Sequence, residues 1–211
     1  PRSYAAERTA TLSCLAQLHY RHGEVSLGVM PLFHTMGIRS LLMSVFLNGT
    51  FICMPTYDTE AALGFIENEK ISALFLVPTM FHDIVNHPKI TETDLSSVNN
   101  IAFAGMSMTT ALVESCAAAF PGALFSNFYG SSEIYTFAVR NHQEENPSSA
   151  GLPGIGQTLR VVRGDPDERV KPDEIVPTGE TGEIIASMSA LDAFEGYWKR
   201  PDADEKAIRD G

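Results

Sequence analysis

The chain has 211 residues, of which 44% are hydrophobic, so it is long enough to bury the core of one domain with a small appendage. Its formal net charge of -11 argues against a surface that follows nucleic-acid phosphates, because such surfaces present clustered lysine and arginine. We therefore expect a globular protein that binds no nucleic acid.

Two hydrophobic patterns then alternate along the chain. Apolar residues at helical spacing predict helices over residues 7–20, 41–47 and 59–69, the last of which is capped by Asp58. A further short helix is predicted to begin at Thr79. The last predicted helix has its cap at Thr109 or Thr110 and ends at residue 120. Short apolar runs predict strands over residues 25–30, 50–54, 73–77, 100–104 and 123–129. Strands that are apolar throughout and alternate with helices predict an α/β fold, with a mostly parallel sheet and helices on both faces.

A different composition begins near Arg140. Residues 141–157 are rich in polar side chains, glycine and proline, and the apolar segments 159–163 and 182–187 follow, with an acidic loop between them. This pattern predicts antiparallel strands. We therefore expect an α/β subdomain over residues 1–139, followed by a smaller antiparallel β subdomain over residues 140–211.

The cysteines and the apolar windows indicate where the protein works. Cys14, Cys53 and Cys116 are far apart and lie in apolar runs, which predicts buried free thiols in a reducing compartment. The most apolar window, residues 41–54, is interrupted by Asn48-Gly49 and is too short to cross a bilayer, and no signal-peptide pattern precedes it. We therefore expect a cytoplasmic protein without a membrane span.

Three loops of unusual chemistry follow predicted strands. They are "PLFHTMG" (residues 31–37), "AGMSM" (residues 104–108) and "YGSSE" (residues 129–133). Each has an ordinary structural explanation: a structural histidine at His34, a tight turn at Gly105, and a helix cap or surface acid at Glu133. Ligands bind at the carboxyl ends of strands in open parallel sheets, so the shared position of the three loops predicts one binding site.

Ser107 allows a different chemistry. The order strand, "GMSMT", helix is close to the nucleophile elbow G-x-S-x-G of acyl hydrolases, and His34 or His82 could act as the base. However, Thr109 replaces the second glycine of that motif, and both histidines precede the serine, whereas the hydrolase histidine follows it. We therefore disfavour a hydrolase.

Six motifs together resemble one family. In chain order they are "PLFHTMG", "VPT", "AFAGMSM", "YGSSE", "TGETGEI" and "GYWKRPDADEKAIRDG". They resemble the adenylate-forming (AMP-binding) superfamily of acyl- and aryl-CoA ligases, luciferases and peptide-synthetase adenylation domains, and the overall pattern is most similar to aryl-CoA ligases. The resemblance implies that the whole enzyme forms an acyl-adenylate from ATP and a carboxylic acid and then an acyl-CoA, with ATP/AMP, Mg²⁺ and coenzyme A as cofactors.

The resemblance also implies a nucleotide site. Tyr129 would lie beside the adenine, the Ser132 hydroxyl would reach the α-phosphate, and the Glu133 carboxylate would hold Mg²⁺. A serine replaces the threonine that is usual at position 132, which keeps the hydroxyl and loses one methyl group. The further residues of the implied nucleotide site are Gly105, Met106, Ser107, Phe128, Gly130 and Ser131.

An acid pocket is implied beside the nucleotide. His34 would border the reacting carboxylate and the pantetheine tunnel, and it joins Ser132 and Glu133 as the implied catalytic residues. The implied pocket residues are His34, Met36, Ala104, Phe128, Gly130, Tyr135 and Thr136. The large Phe128 and Tyr135 favour a compact or flat acid.

The direction of the Tyr135 side chain depends on the segment after Gly130. If that segment is extended, Tyr135 points to the same side as Glu133 and shortens the pocket. The alternative is an ordinary aromatic residue in the core.

In the family, a phosphate-binding loop would lie before Pro1, and a ribose-binding aspartate, a hinge and a lysine-bearing C-terminal domain would follow "IRDG". We therefore expect the chain alone to be inactive. A fatty-acid-CoA ligase, a peptide-synthetase-type adenylation domain and a non-catalytic nucleotide- or acyl-binding module remain alternatives. The oligomeric state is open, with a homodimer as one option.

Overall fold

The computed structural model describes residues 1–164 and 170–208. Part of the predicted acidic loop (residues 165–169) and the end of the last motif (residues 209–211) lie outside the described residues. The helices are α1 (Tyr4–Leu18), α2 (Thr35–Phe46), α3 (Thr59–Asn68), α4 (Pro78–Val85), α5 (Thr110–Ala119) and α6 (Pro201–Ala207). The strands are β1 (Val25–Gly28), β2 (Thr50–Cys53), β3 (Ala73–Leu76), β4 (Asn100–Ala104), β5 (Leu124–Tyr129), β6 (Ala138–Asn141), β7 (Leu152–Pro153), β8 (Leu159–Val162) and β9 (Glu183–Ala186).

Seven strands form the main sheet, in the order β2-β1-β3-β4-β5-β6-β7. The strands from β2 to β5 are parallel to their neighbours, whereas β6 and β7 are antiparallel. The strands β8 and β9 form a separate antiparallel pair. This arrangement confirms the predicted fold class. The expected subdomain boundary between residues 139 and 140 falls inside β6, which pairs with β5, and the division stays a prediction.

Side chains on the central strands alternate between two apolar layers, as the pleat of a strand requires. In β3, Leu74 and Leu76 belong to a cluster with α3, α4 and α5, whereas Phe75 belongs to a second cluster with α1 and α2. The second cluster also includes Leu18, Met43 and Phe128. Because α1 and α2 lie on the face opposite to the other three helices, both faces of the parallel part of the sheet are covered.

Most helices begin within a few residues of the predicted start, and α2 is the exception. We predicted a helix over residues 41–47, but α2 begins at Thr35, because the His34 ring caps it: Nδ1 accepts a hydrogen bond from the Met36 amide at 3.2 Å. The added turn and a half brings Met36 and Arg39 onto the buried face of the helix.

The expected burial of the cysteines is correct at two positions and wrong at the third. All three thiols are free, and Cys14 and Cys116 are buried, but Cys53 is exposed. Cys53 is the last residue of β2, which is an edge strand and is partly open to solvent along its length. Among the described residues, no helix is both long and apolar enough to cross a membrane.

The predicted cap of α3 provides a test of local stability. Asp58 accepts a hydrogen bond from the Ala61 amide at 2.8 Å, which satisfies one free N–H group of the first turn. We expect Asp58→Ala to lower the free energy of unfolding by about 1 kcal/mol. Asp58→Asn keeps an acceptor and should lose much less. Urea denaturation measures both, and equal losses would contradict the capping role.

Candidate active site

A cavity lies at the carboxyl-terminal edge of the main sheet. Its volume is about 170 Å³. Its lining comes from α1, the start of α2, β3 and the loops that follow β4 and β5. The lining residues are Cys14, His34, Thr35, Met36, Arg39, Phe75, Ala104, Gly105, Phe128, Gly130, Ser131, Ser132, Tyr135 and Thr136. The three loops singled out in the sequence therefore do meet, as the parallel topology requires.

Most of the residues expected at the site line this cavity. The ten are His34, Met36, Ala104, Gly105, Phe128, Gly130, Ser131, Ser132, Tyr135 and Thr136. Four expected residues do not line it: Met106, Ser107, Tyr129 and Glu133. Met106, on the loop after β4, is 63% exposed, and Tyr129, the last residue of β5, is 41% exposed. The roles of all fourteen residues stay predictions.

The capping bond indicates the tautomer of a neutral His34 ring. Because Nδ1 accepts from the Met36 amide, a neutral ring carries its proton on Nε2. His34 is also one of the residues that line the cavity. The residue thus has a structural role at the start of α2 and leaves one ring N–H group for a ligand.

Two glycines give the loops their shape for different reasons. Gly105 has a φ of +87°, which other residues rarely adopt. At Gly130 the constraint is steric, since a Cβ atom there would lie 2.1 Å from the Tyr135 carbonyl oxygen. A substitution at either position would displace the loop that carries it.

The segment after Gly130 is a compact bend and not an extended strand. The Ser131 amide donates to the Ile134 carbonyl at 3.0 Å, and the Phe137 amide donates to the Tyr129 carbonyl at 2.8 Å. The condition under which Tyr135 and Glu133 point to the same side is therefore not met. Tyr135 donates its hydroxyl proton to Glu7 at 3.0 Å, whereas the Glu133 carboxylate contacts Tyr197. Tyr135 is also not an ordinary core residue, because it lines the cavity.

Glu133 is held on two sides. Its Oε1 accepts a hydrogen bond from the Tyr197 hydroxyl at 2.6 Å, and its carbonyl oxygen accepts from Arg2 at 3.1 Å and from the Phe194 amide at 2.9 Å. The Tyr197 hydrogen bond is the main cause that holds the pKa of the Glu133 carboxyl below its usual range. The carboxylate is therefore ionised at neutral pH and kept in place by a residue of the "GYWKRP" motif.

Glu133 has the chemistry that Mg²⁺ requires. No group of three or more histidine, cysteine, aspartate or glutamate side chains suited to a metal ion occurs in residues 1–164 and 170–208. Mg²⁺ commonly uses only one or two carboxylates and completes its shell with phosphate oxygens and water. A single ionised carboxylate at Glu133 fits that mode of binding.

The surroundings of Ser107 do not support a hydrolase. Helix α5 begins at Thr110 with Thr109 as its cap, so Ser107 lies two residues before the cap and not at a strand-to-helix elbow. Ser107 is exposed, and no hydrogen bond joins its hydroxyl to a histidine within the part of the chain that the structure describes.

Sequence reasoning missed four of the lining residues: Cys14, Thr35, Arg39 and Phe75. Arg39 is the most informative, because its side chain is 3% exposed and it reaches Glu7 on α1. The sequence does contain a pattern that could have identified Arg39. Arg39 is the only lysine, arginine, aspartate or glutamate between Glu24 and Asp58, in an otherwise apolar region. A lone charge in such a run points to a buried ion pair or a ligand.

Cys14 contributes a neutral thiol to the same wall. Its Sγ lies 3.8 Å from the Thr136 hydroxyl oxygen. Burial raises the pKa of the Cys14 thiol above its usual value, so the thiolate is not formed at neutral pH. We assign it a packing role.

The family model for the AMP-binding enzyme matches residues 3–198. The chain belongs to the AMP-binding enzyme family. Feruloyl-CoA synthase of Amycolatopsis sp is 30% identical over 206 residues, which cover 95% of the chain and 39% of that protein. The 4-chlorobenzoate–CoA ligase of Pseudomonas sp. (strain CBS-3) is 29% identical over 175 residues, which cover 80% of the chain and 32% of that protein.

Solved structures show the same fold. The ATP-bound structure of MatB from Rhodopseudomonas palustris superposes with a TM-score of 0.86 at 19% identity, over 99% of this chain and 40% of that one. The resemblance read from the six motifs is confirmed at the level of the family and the fold. The chain spans about two fifths of the first of these relatives and less of the second, so the activity of the whole protein is inferred below.

The Tyr197–Glu133 hydrogen bond predicts a change in acid strength. Tyr197→Phe removes the main cause that lowers the pKa of the Glu133 carboxyl, so this pKa should rise toward its usual value. Carbon-detected NMR titration of ¹³C-labelled glutamate measures the shift, with Glu133→Gln identifying the resonance. In Tyr135→Phe, which leaves the contact intact, the midpoint should not change.

The stability of the protein at acidic pH should also depend on the Tyr197–Glu133 hydrogen bond. A carboxyl with a lowered pKa stabilises the fold above its unfolded pKa, and this contribution is lost as the pH falls through the folded pKa. Tyr197→Phe should therefore reduce the dependence of stability on pH in the acidic range. An unchanged Glu133 midpoint in this variant would contradict the role of Tyr197.

Proposed function

We propose that the full-length protein is an ATP-dependent carboxylate–CoA ligase that forms an acyl-adenylate and then an acyl-CoA thioester. The strongest support is the arrangement of "YGSSE": Ser132 lines the cavity, and the next residue is an ionised carboxylate suited to Mg²⁺. Membership in the AMP-binding family supports the same reaction. ATP, Mg²⁺ and coenzyme A are the proposed cofactors.

The reaction joins two anions, and the site has to overcome their repulsion. A carboxylate oxygen attacks the α-phosphorus of ATP, and pyrophosphate leaves. We assign the Ser132 hydroxyl to the α-phosphate, where it donates a hydrogen bond to the developing charge. His34 also lines this cavity, and we assign its ring to orient the attacking carboxylate. Glu133 would hold Mg²⁺, and the ion would neutralise phosphate charge when bound.

The nucleotide lies outside the cavity in this proposal. Met106, on the loop after β4, is 63% exposed, and Tyr129, the last residue of β5, is 41% exposed and packs on one side against Phe137. Each therefore has surface left to contact an adenine ring. Gly105 and Gly130 allow the backbone of the two loops to approach the ligand, because neither position carries a Cβ atom. The cavity itself is then left for the organic acid.

The cavity suits a compact aromatic acid. Its side walls include the rings of Phe75 and Phe128, whose centroids are 5.6 Å apart. Apolar cavities of roughly 150 Å³ in other proteins accept a benzene ring, and this one measures about 170 Å³. One ring with a small substituent fits, whereas a long acyl chain requires a tunnel. Coenzyme A as the thiol and a cytoplasmic location complete the proposal.

A non-catalytic binding module is the alternative of another class. It would bind nucleotide or acid in the same cavity without chemistry. ATP–pyrophosphate exchange by the full-length protein separates the two, with benzoates, cinnamates and fatty acids as substrates. We expect exchange with compact aromatic acids. Binding of ATP and acid without any exchange would contradict the ligase.

Glu133 provides the sharpest test of the chemistry. In the full-length protein, Glu133→Gln should lower kcat for exchange about a hundredfold, the loss typical of removing a group that stabilises transition-state charge. The KM for the acid should change little, since Mg²⁺ acts mainly on the transition state. Glu195→Gln is the matched control, because Glu195 is an exposed glutamate next to Phe194. Equal activities of the two variants would show that Glu133 is structural.

A further inference from the structure

Two arginines share one carboxylate beside the cavity. Arg39 Nη2 lies 3.2 Å from Glu7 Oε2, and Arg2 Nε lies 2.5 Å from Glu7 Oε1. Both guanidinium groups lie over the ring of Tyr135, whose centroid is 3.8 Å from the Arg2 guanidinium carbon and 4.3 Å from that of Arg39. Glu7 neutralises only one of the two guanidinium groups, so the cluster keeps one positive charge.

The charge is well shielded from water. The side chains of Arg39, Arg2 and Glu7 are 3%, 10% and 23% exposed. A buried charge without a counter-ion is costly, and proteins therefore pair such charges or use them to bind ligands. The surplus charge of this cluster needs an anion that residues 1–164 and 170–208 do not supply at hydrogen-bond distance.

Part of the hydrogen-bonding capacity is also unused. Arg39 Nη1 donates to the Glu7 carbonyl at 2.9 Å and to the Thr11 hydroxyl at 2.6 Å. Arg39 Nε and Arg2 Nη2, in contrast, are buried and have no hydrogen-bond partner among the described residues. Buried donors are nearly always satisfied in folded proteins, so two unsatisfied donors in the cluster beside the cavity point to an absent acceptor.

Arg39 lines the same cavity as the proposed reaction centre and lies further along α2 than His34. His34 caps α2, and Arg39 follows five residues later on the same helix, roughly 7.5 Å further along the axis. Met36, Phe75 and Phe128 form apolar walls of the cavity that both residues line. An acid whose carboxylate is at His34 and Ser132 therefore extends toward Arg39.

We propose that the substrate is a compact dicarboxylic acid whose second carboxylate binds Arg39. This inference rests on the proposed function, since it names the acid of that same site. The second carboxylate pairs with the Arg39 guanidinium group and neutralises the surplus charge. The apolar walls hold the ring or short chain between the two carboxylates. A guanidinium group suits this task, because its planar N–H groups match a carboxylate.

The alternative role for Arg39 is purely structural, as a tie between α2 and α1. Both roles predict that loss of the side chain destabilises the protein. Only the binding role predicts that Arg39 discriminates between acids that have the same shape but differ in charge at the far end.

The experiment compares 1,4-benzenedicarboxylate with 4-methylbenzoate, which has the same ring and a methyl group in place of the second carboxylate. With the full-length wild-type protein, we expect kcat/KM for ATP–pyrophosphate exchange to favour the dicarboxylate by at least about tenfold, because a buried site built for a polar group rejects analogues that lack it. In Arg39→Met the preference should disappear or reverse. In Arg39→Lys, which keeps the charge, it should be intermediate.

Arg8→Met is the matched control, because Arg8 is an exposed arginine on α1 near Glu7. It should keep the wild-type preference. The wild-type comparison requires no variant and therefore stands if Arg39→Met fails to fold. A wild-type preference for 4-methylbenzoate, or a preference for the dicarboxylate that survives in Arg39→Met, would overturn the proposal.

Calorimetric binding separates this proposal from the ligase itself. If no acid supports exchange, the proposed reaction is wrong, but the affinities of the full-length protein for the two acids still test the pocket. Tighter binding of the dicarboxylate that is lost in Arg39→Met supports the site. Equal affinities, or no binding of either acid, overturn it.

Discussion

The parallel register of the central strands is the constraint on which the site depends. Ala73 of β3 lies beside Asn100 of β4, which lies beside Leu124 of β5, so these strands run in step and end at the same edge of the sheet. Parallel strands need crossover helices, which cover both faces and leave the edge open. The loops after β1, β4 and β5 therefore meet at this edge whatever residues they contain. A cavity between them is a consequence of topology, and its chemistry comes from the loops.

Long-range polar contacts then hold that chemistry in place. Glu7 on α1 contacts Arg39 on α2 and the Tyr135 hydroxyl, so one carboxylate joins two helices to the loop after β5. Tyr197, far along the chain, donates to Glu133 on the other side of the same loop. The loop is thus fixed from two directions, which keeps Ser132 and Glu133 in a defined relation to the cavity. Such preorganisation lets a site stabilise developing charge without first rearranging.

Features of the fold that depend on a local pattern could be predicted from the sequence. Features that depend on contacts between distant residues could not. The strand at β4 and the cap at Asp58 could be predicted, because apolar runs and cap residues act within a few positions. The start of α2 was placed six residues late, since a histidine cap is not a usual start signal, and this hid Arg39. The bend after Gly130 was missed because it is set by a close approach to Tyr135. The contact between Tyr197 and Glu133 spans 64 residues, and no pattern in either segment reports it.

Oxygen transfer from the acid to AMP tests the central claim most directly, because adenylation joins a carboxylate oxygen to the α-phosphorus. The full-length protein is incubated with ATP, coenzyme A and an ¹⁸O-labelled acid, and the AMP is analysed by mass spectrometry. Our account predicts AMP that carries one ¹⁸O atom and forms in step with the thioester. Thioester formation with unlabelled AMP, or with the label in inorganic phosphate and ADP as the nucleotide product, would contradict it.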